Sequence, residues 1–270
     1  MTIVRTVAEY RALGLSDVGF VPTMGALHEG HCELIKAACG HENRVVSIFV
    51  NPTQFGPNED LSRYPRPFER DVERASSVGA NIIFAPSVEE MYPASPTMIR
   101  VPVVTEYFEG HSGPGHFDGV ATVVAKLFGI VEPRVAFFGQ KDLQQCAVIT
   151  KMVTDLNLPV QIQIEPTIRE PDGLAMSSRN VYLSPEQREV APQIYRQLCL
   201  AKEAIELGRE PAEALEESKK ALFGSGFEVD YFALIDRSSF SPTESVRENC
   251  ALITAAKLGT TRLIDNVLVN

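Results

Sequence analysis

The stretch from Val18 to Ala38 constrains the fold of this chain more than any other. Val18-Gly19-Phe20-Val21 is an apolar run of strand type, and Cys32-Glu33-Leu34-Ile35-Lys36-Ala37-Ala38 has helical spacing without a breaker. Between them lies Pro22-Thr23-Met24-Gly25-Ala26-Leu27-His28-Glu29-Gly30-His31. Pro22 has no N–H for a ladder, so the strand is expected to end there. Gly25 permits close backbone approach, and Gly30 adds freedom at the helix start. A strand, a turn and a helix in this order aim free backbone N–H groups at whatever sits above the helix start, which makes an anion site. His28 and His31 fall on one face, one turn apart, where two imidazoles can donate to phosphate oxygens. Two other readings of the pair stay open at this point. One is a pair of ordinary polar side chains at a helix end. The other is zinc ligation, which needs a third ligand in a sequence with no HExxH and no paired cysteines.

The rest of the first half repeats the same alternation. Arg44 to Val50 reads as a buried strand ending at Asn51-Pro52-Thr53-Gln54-Phe55-Gly56. A helix is expected over Pro67–Val78, a strand over Asn81–Pro86, an extended stretch near Ile99–Val103 and a loop over Gly110–Phe117. A helix over Asp118–Ile130, a strand over Val135–Phe138, a helix over Leu143–Leu156 and a strand over Val160–Ile164 follow. Buried strands alternating with amphipathic helices predict an α/β fold, a Rossmann-like doubly wound parallel sheet. Ligands of such sheets sit beyond the carboxyl ends of the strands, where His28, His31, Asn51 and Gln54 all fall. Composition shifts further on: helices from Ser184 to about Leu207 and from Pro211 to Phe223 precede strands at 229–235, 251–256 and 261–269. The expected organisation is a nucleotide-binding domain over 1–167 and a smaller C-terminal α+β domain over 168–270.

Two later motifs suit phosphate. Gly139-Gln140-Lys141-Asp142 sets a lysine point charge at a strand end. Met176-Ser177-Ser178-Arg179-Asn180, after the turn at Asp172-Gly173, offers two hydroxyls and a guanidinium. A surface turn and a serine-rich hinge are the plainer readings of these two. The formal charge of −10 argues against a nucleic-acid partner without excluding a nucleotide. Five scattered cysteines suit a reducing compartment. The absence of a signal pattern or a membrane-length apolar run leads to the expectation of a soluble, cytoplasmic protein.

The histidine turn and the basic loop together resemble the two signatures of the HxGH nucleotidylyltransferase superfamily. Pro22–His31, Asn51–Phe55, Tyr64-Pro65-Arg66, Pro114–Phe117, Gly139–Asp142 with Gln144-Gln145, Asp172–Asn180 and Arg262-Leu263-Ile264-Asp265-Asn266 occur in the order seen in the pantothenate synthetase family, the AMP-forming pantoate–β-alanine ligases. The resemblance covers essentially the whole chain. It implies ATP and Mg2+ as cofactors, pantoate and β-alanine as substrates, a pantoyl-adenylate intermediate and a homodimer. It implies an ATP site at Met24, Gly25, Ala26, Leu27, His28, Glu29, Gly30 and His31, at Gly139, Gln140, Lys141 and Asp142, at Ile168 through its backbone, and at Met176, Ser177, Ser178 and Arg179. His31, His28, Lys141 and Arg179 are the catalytic set, Gln54, Gln145 and Asn51 the substrate-binding set, and Asp71 the magnesium ligand. The sequence departs from the family at Gly113, Gln140, Leu143 and Cys32, where arginine, glutamate, an aromatic and an apolar residue are usual. The competing expectation is another small-molecule adenylyl- or cytidylyltransferase, or a nucleotide-sensing module that kept the pocket.

Overall fold

The computed structural model describes residues 1–56 and 61–269 of the 270-residue chain. Its first sheet holds β1 (Thr2–Val4), β2 (Val18–Thr23), β3 (Asn43–Ile48), β4 (Ile82–Phe84), β5 (Val135–Gly139) and β6 (Gln161–Glu165), all parallel, in the spatial order β1-β4-β3-β2-β5-β6. The chain winds outward from β2 through β3 and β4, then returns to build β5 and β6 on the other side. The reversal between β2 and β5 is the topological switch point of a doubly wound sheet. Both faces of the sheet are covered along β2, β4 and β5, which is why those strands are nearly all apolar. Helices His116–Val131 and Leu143–Asp155 pack on one face with Phe20, Val45, Phe84 and Phe138. Helices Glu29–Ala37 and Phe68–Ser77 pack on the other with Val21, Val46, Ile83 and Phe137.

A second sheet follows, antiparallel, of β7 (Glu228–Asp236), β8 (Cys250–Leu258) and β9 (Thr261–Val269). Helices Gln193–Glu206 and Pro211–Gly224 close one face over Leu234, Leu252 and Leu263. From the opposite face Ile235, Ala251 and Ile253 join the core of the first sheet, so one apolar core runs through both units.

The structure departs from the sequence reading at three places. β2 does not stop at Pro22 but runs on to Thr23, paired with β3 throughout. The carbonyl of Val18 accepts from Arg134 N on the β5 side, so residues 18, 20 and 22 turn their backbone polar groups that way. Pairing with β5 ends at Phe20–Ala136 although β5 itself runs on to Gly139, and the nitrogen of Pro22 faces the side where that pairing has stopped, so no ladder bond is missing there. β1 is short and pairs only with β4, too little pattern to read in advance. The expected loop before the long helix contains a helical turn, Glu109–Ser112.

Candidate active site at the switch point

A cavity of about 810 Å³ lies beyond the carboxyl ends of β2, β3, β5 and β6. Met24, His28, Gly30, His31, Asn51, Gln54, Gly139, Lys141, Asp142, Gln145, Ile168 and Met176 to Arg179 all line it. The fold thus brings together most of the expected site. Gly25, Ala26, Leu27, Glu29, Gln140 and Asp71 stand outside the lining.

The histidine turn works differently from the free-amide anion site expected of it. His28 is the N-cap of helix Glu29–Ala37, and His31 is its third residue. Gly30 N–H donates to His28 Nδ1 at 3.1 Å, and His28 N–H donates to His31 Nδ1 at 3.3 Å. Ala26 and Leu27 N–H groups go to Asp71. The amides of Ala26, Leu27, His28 and Gly30 are therefore occupied, and the imidazoles face the cavity instead. Because each Nδ1 accepts, each neutral ring carries its proton on Nε2 and has a donor there. Burial pushes His28 down to about 4, with the Lys141 charge adding to it. Burial, then His28 and Lys141, holds His31 well below the usual histidine range. In the free protein both rings are neutral hydrogen-bond donors. Gly30 is required by the capping ring rather than by backbone freedom: a Cβ there would lie 2.9 Å from His28 Cε1.

Asp71, expected as a magnesium ligand, is engaged with the histidine turn. It is buried on helix Phe68–Ser77, and its two oxygens accept the Ala26 and Leu27 amides at 2.8 Å each. Gly25, with φ +83°, keeps clear of it: a Cβ there would sit 2.8 Å from Asp71 Oδ2. Asp71 shapes the turn from behind, and its carboxyl is raised by burial. The sequence carried a signal for this: Phe68, Val72 and Ala75 make an apolar stripe at helical spacing, and Asp71 falls on it.

Gln54 is held in place by Asn51. Asn51 Nδ2 donates to Gln54 Oε1 at 3.0 Å and to Gly119 O at 3.2 Å, while Asn51 Oδ1 accepts from the Thr53 and Tyr92 hydroxyls at 2.9 Å. Asn51 is buried and its amide orients the loop, and both it and Gln54 line the cavity. Gln54 Nε2 rests 3.3 Å from Met24 Sδ. Gln145 lines the cavity from the first turn of helix Leu143–Asp155. Its neighbour Gln144 faces away, accepting from Glu109 N–H and donating to the carbonyls of Val104 and Tyr107.

Lys141 sits in a 3-10 turn after β5, its Nζ 3.5 Å from Asp142 Oδ1. Gln140, expected among the ATP-binding residues, points instead to β9, where its Nε2 donates to Asn266 Oδ1 at 3.0 Å. Ile168 lines the cavity with its carbonyl already accepting from Met176 N–H at 2.9 Å. The Ser177 hydroxyl accepts the Arg179 amide at 3.2 Å and so caps the short turn Ser178–Tyr182. Two residues given no role from sequence, Glu109 and Arg262, also line the cavity and meet each other there. Nothing local in the sequence links them; their pairing comes from packing the second sheet on the first.

A doubly wound sheet with a mutual histidine cap, a lysine turn and a serine–arginine loop around its switch point is the framework of a nucleotide-dependent enzyme. Comparison with known proteins is more specific. A family model described as pantoate-beta-alanine ligase matches residues 2–268, and the chain belongs to that family. It is 50% identical to pantothenate synthetase of Stutzerimonas stutzeri (strain A1501), covering 100% of this chain and 98% of that protein. It is 51% identical to pantothenate synthetase of Moorella thermoacetica, covering 97% and 94%. The crystal structure of pantothenate synthetase from Thermus thermophilus superposes with a TM-score of 0.95 at 48% identity, covering 99% of each chain. The ligase of Francisella tularensis, solved with beta-gamma ATP and beta-alanine, superposes with a TM-score of 0.84 at 34% identity, covering 99% of this chain and 97% of that one. No helix among the described residues is long and apolar enough to cross a membrane.

Proposed function

We propose that this chain condenses pantoate with β-alanine in two steps within the one cavity. The pantoate carboxylate attacks the α-phosphorus of ATP, the bond to pyrophosphate breaks, and pantoyl adenylate remains. The β-alanine ammonium gives up one proton, the resulting amine attacks the acyl carbon and gives up a second as the amide forms, and AMP leaves with the electrons of the acyl C–O bond. The observation that carries this reading is the convergence of His28, His31, Lys141 and the Met176–Arg179 loop with the Gln54–Gln145 amide pair on one cavity. Negative charge grows on the phosphate oxygens in the first step, and fixed donors and cations aimed there lower its barrier. His28 and His31 donate through Nε2, Lys141 adds a full charge, and Arg179 a planar fork. The two amides hold pantoate, donating to its carboxylate and accepting from its hydroxyls.

Magnesium accompanies ATP in this reading and offsets phosphate charge. The donor that suits it is Asp142, a half-exposed carboxylate on the cavity wall beside Lys141; Asp71 is buried and engaged. Residues 168–270 act as a lid on the domain formed by 1–167, and the chain works in the cytoplasm as a homodimer, for which light scattering should return about twice 29.7 kDa.

The test is exchange of labelled pyrophosphate into ATP. Pantoate alone should support it, without β-alanine. His31→Ala should slow it about a hundredfold or more, the scale of one lost transition-state donor. Exchange that requires β-alanine would overturn the two-step reading.

A further inference from the structure

The turn carrying Lys141 and the loop Met176–Arg179 are far apart in sequence, yet one strand of the second sheet touches both. Successive residues of a strand face opposite sides, and β9 sends Asp265 one way and Asn266 the other. The buried Asp265 carboxylate accepts from Arg169 Nη1 at 2.6 Å and Nη2 at 3.0 Å. Arg169 opens the short hairpin, bridged Arg169–Ala175, that leads into Met176. Its guanidinium stacks 3.5 Å from the Tyr195 ring centre and donates to Gly173 O at 3.1 Å. On the other side, Asn266 Nδ2 donates to the carbonyls of Gln140 at 2.9 Å and Lys141 at 3.0 Å. Asn266 Oδ1 accepts from Gln140 Nε2, and Asn266 N–H donates to Asp265 Oδ1 at 2.8 Å. Each polar atom of the Asn266 amide is bonded. A buried network this complete fixes geometry.

We propose that Asp265 and Asn266 form a two-sided strut that sets the spacing between Lys141 and the Ser177–Arg179 loop, so that both reach one triphosphate during adenylation. The proposal rests on the ligase reading above. Neither residue lines the large cavity, so both are positioning residues. Their influence is confined to the half of the reaction in which the triphosphate is present.

Asn266→Asp keeps the side chain's shape and turns its two donors into an oxygen facing two carbonyls. Pyrophosphate exchange should fall about tenfold or more through kcat, the effect of a small misplacement of reacting groups, while preformed pantoyl adenylate reacts with β-alanine within about threefold of the wild-type rate. Arg169→Lys keeps the charge opposite Asp265 but loses the fork and the stacking. It should shift the ratio of the two half-reactions the same way. The double variant should fall by less than the product of the single effects, because both act on one spacing. Equal slowing of both half-reactions, or normal exchange in Asn266→Asp, overturns the strut. If circular dichroism finds Asn266→Asp unfolded, Arg169→Lys decides by the same ratio. Wild-type protein with no pantoate-dependent exchange would bring down the ligase reading itself, and the strut with it.

Discussion

Arg262 of β9 grips the Glu109 carboxylate with both terminal nitrogens, Nη1 to Oε2 and Nη2 to Oε1 at 2.6 Å each, while its Nε donates to Asp230 at 2.7 Å. The Tyr231 hydroxyl adds a bond to Glu109 Oε1 at 2.9 Å. This cluster fastens the second sheet to the Glu109–Ser112 turn of the first unit. Arg262→Ala leaves a largely buried carboxylate with one partner. Unfolding free energy should drop by roughly 1.5–3 kcal/mol, the range for hydrogen bonds to charged groups, as read by urea denaturation. Arg262→Lys should recover only part, since an ammonium cannot reproduce the fork. Unchanged stability in Arg262→Ala would mean that the cluster contributes nothing net.

Gly119 gives a sharper test of packing. A Cβ there would lie 2.3 Å from Thr53 O and 2.7 Å from Gln54 N, both backbone atoms. Gly119→Ala must displace the loop that carries Gln54. It should cost about 1–3 kcal/mol of stability, as overpacking does, and raise KM for pantoate. Gly129 lies in the same helix with open space around it. Gly129→Ala should stabilise by about 0.4–1 kcal/mol. Two substitutions of equal effect would show that helix propensity, not loop contact, governs this helix.

The two aspartates near the site should separate cleanly. Asp71→Asn removes an acceptor from one of the Ala26 and Leu27 amides and should cost roughly 1–3 kcal/mol. The magnesium concentration giving half-maximal rate should stay where it is in the wild type. Asp142→Asn should raise that concentration with little change in stability. The reverse pattern in magnesium titrations would return the metal to Asp71.

The depressed His28 has a definite pH signature. Unfolded histidine titrates near 6.5, whereas in the fold His28 does so at about 4. The folded state therefore holds off a proton that the unfolded state accepts. The stability linked to this group is complete above pH 6.5 and is lost as pH falls from 6.5 to about 4. Relative to His28→Gln, the wild type should lose stability across that window, and the His28 ring should titrate near its lower end by NMR. An ordinary midpoint near 6.5 would show that the ring is not desolvated as described.

The doubly wound sheet was legible because each central strand is buried on both faces and each connection is amphipathic. The cavity wall was legible for a related reason: residues just past β2, β3 and β5 are brought together by the topology itself. Roles set by side chains from distant elements were not. Asp71 reaches a turn 44 residues earlier, Gln140 meets Asn266 across 126 residues, and Glu109 meets Arg262 across 153. Nothing local distinguishes Gln144, which braces the Val104–Glu109 segment, from Gln145, which faces the cavity; only the helix phase against the sheet decides it.

Pro22 follows from the way β2 parts from β5. A strand that leaves its neighbour before it ends exposes an amide, and here that amide would open into the mouth of the cavity. Water would bind it, and an arriving substrate would have to strip that water away or supply an acceptor in its place. Proline has no such hydrogen. The ladder is released without a stray donor on the cavity wall, where an alanine at position 22 would present one.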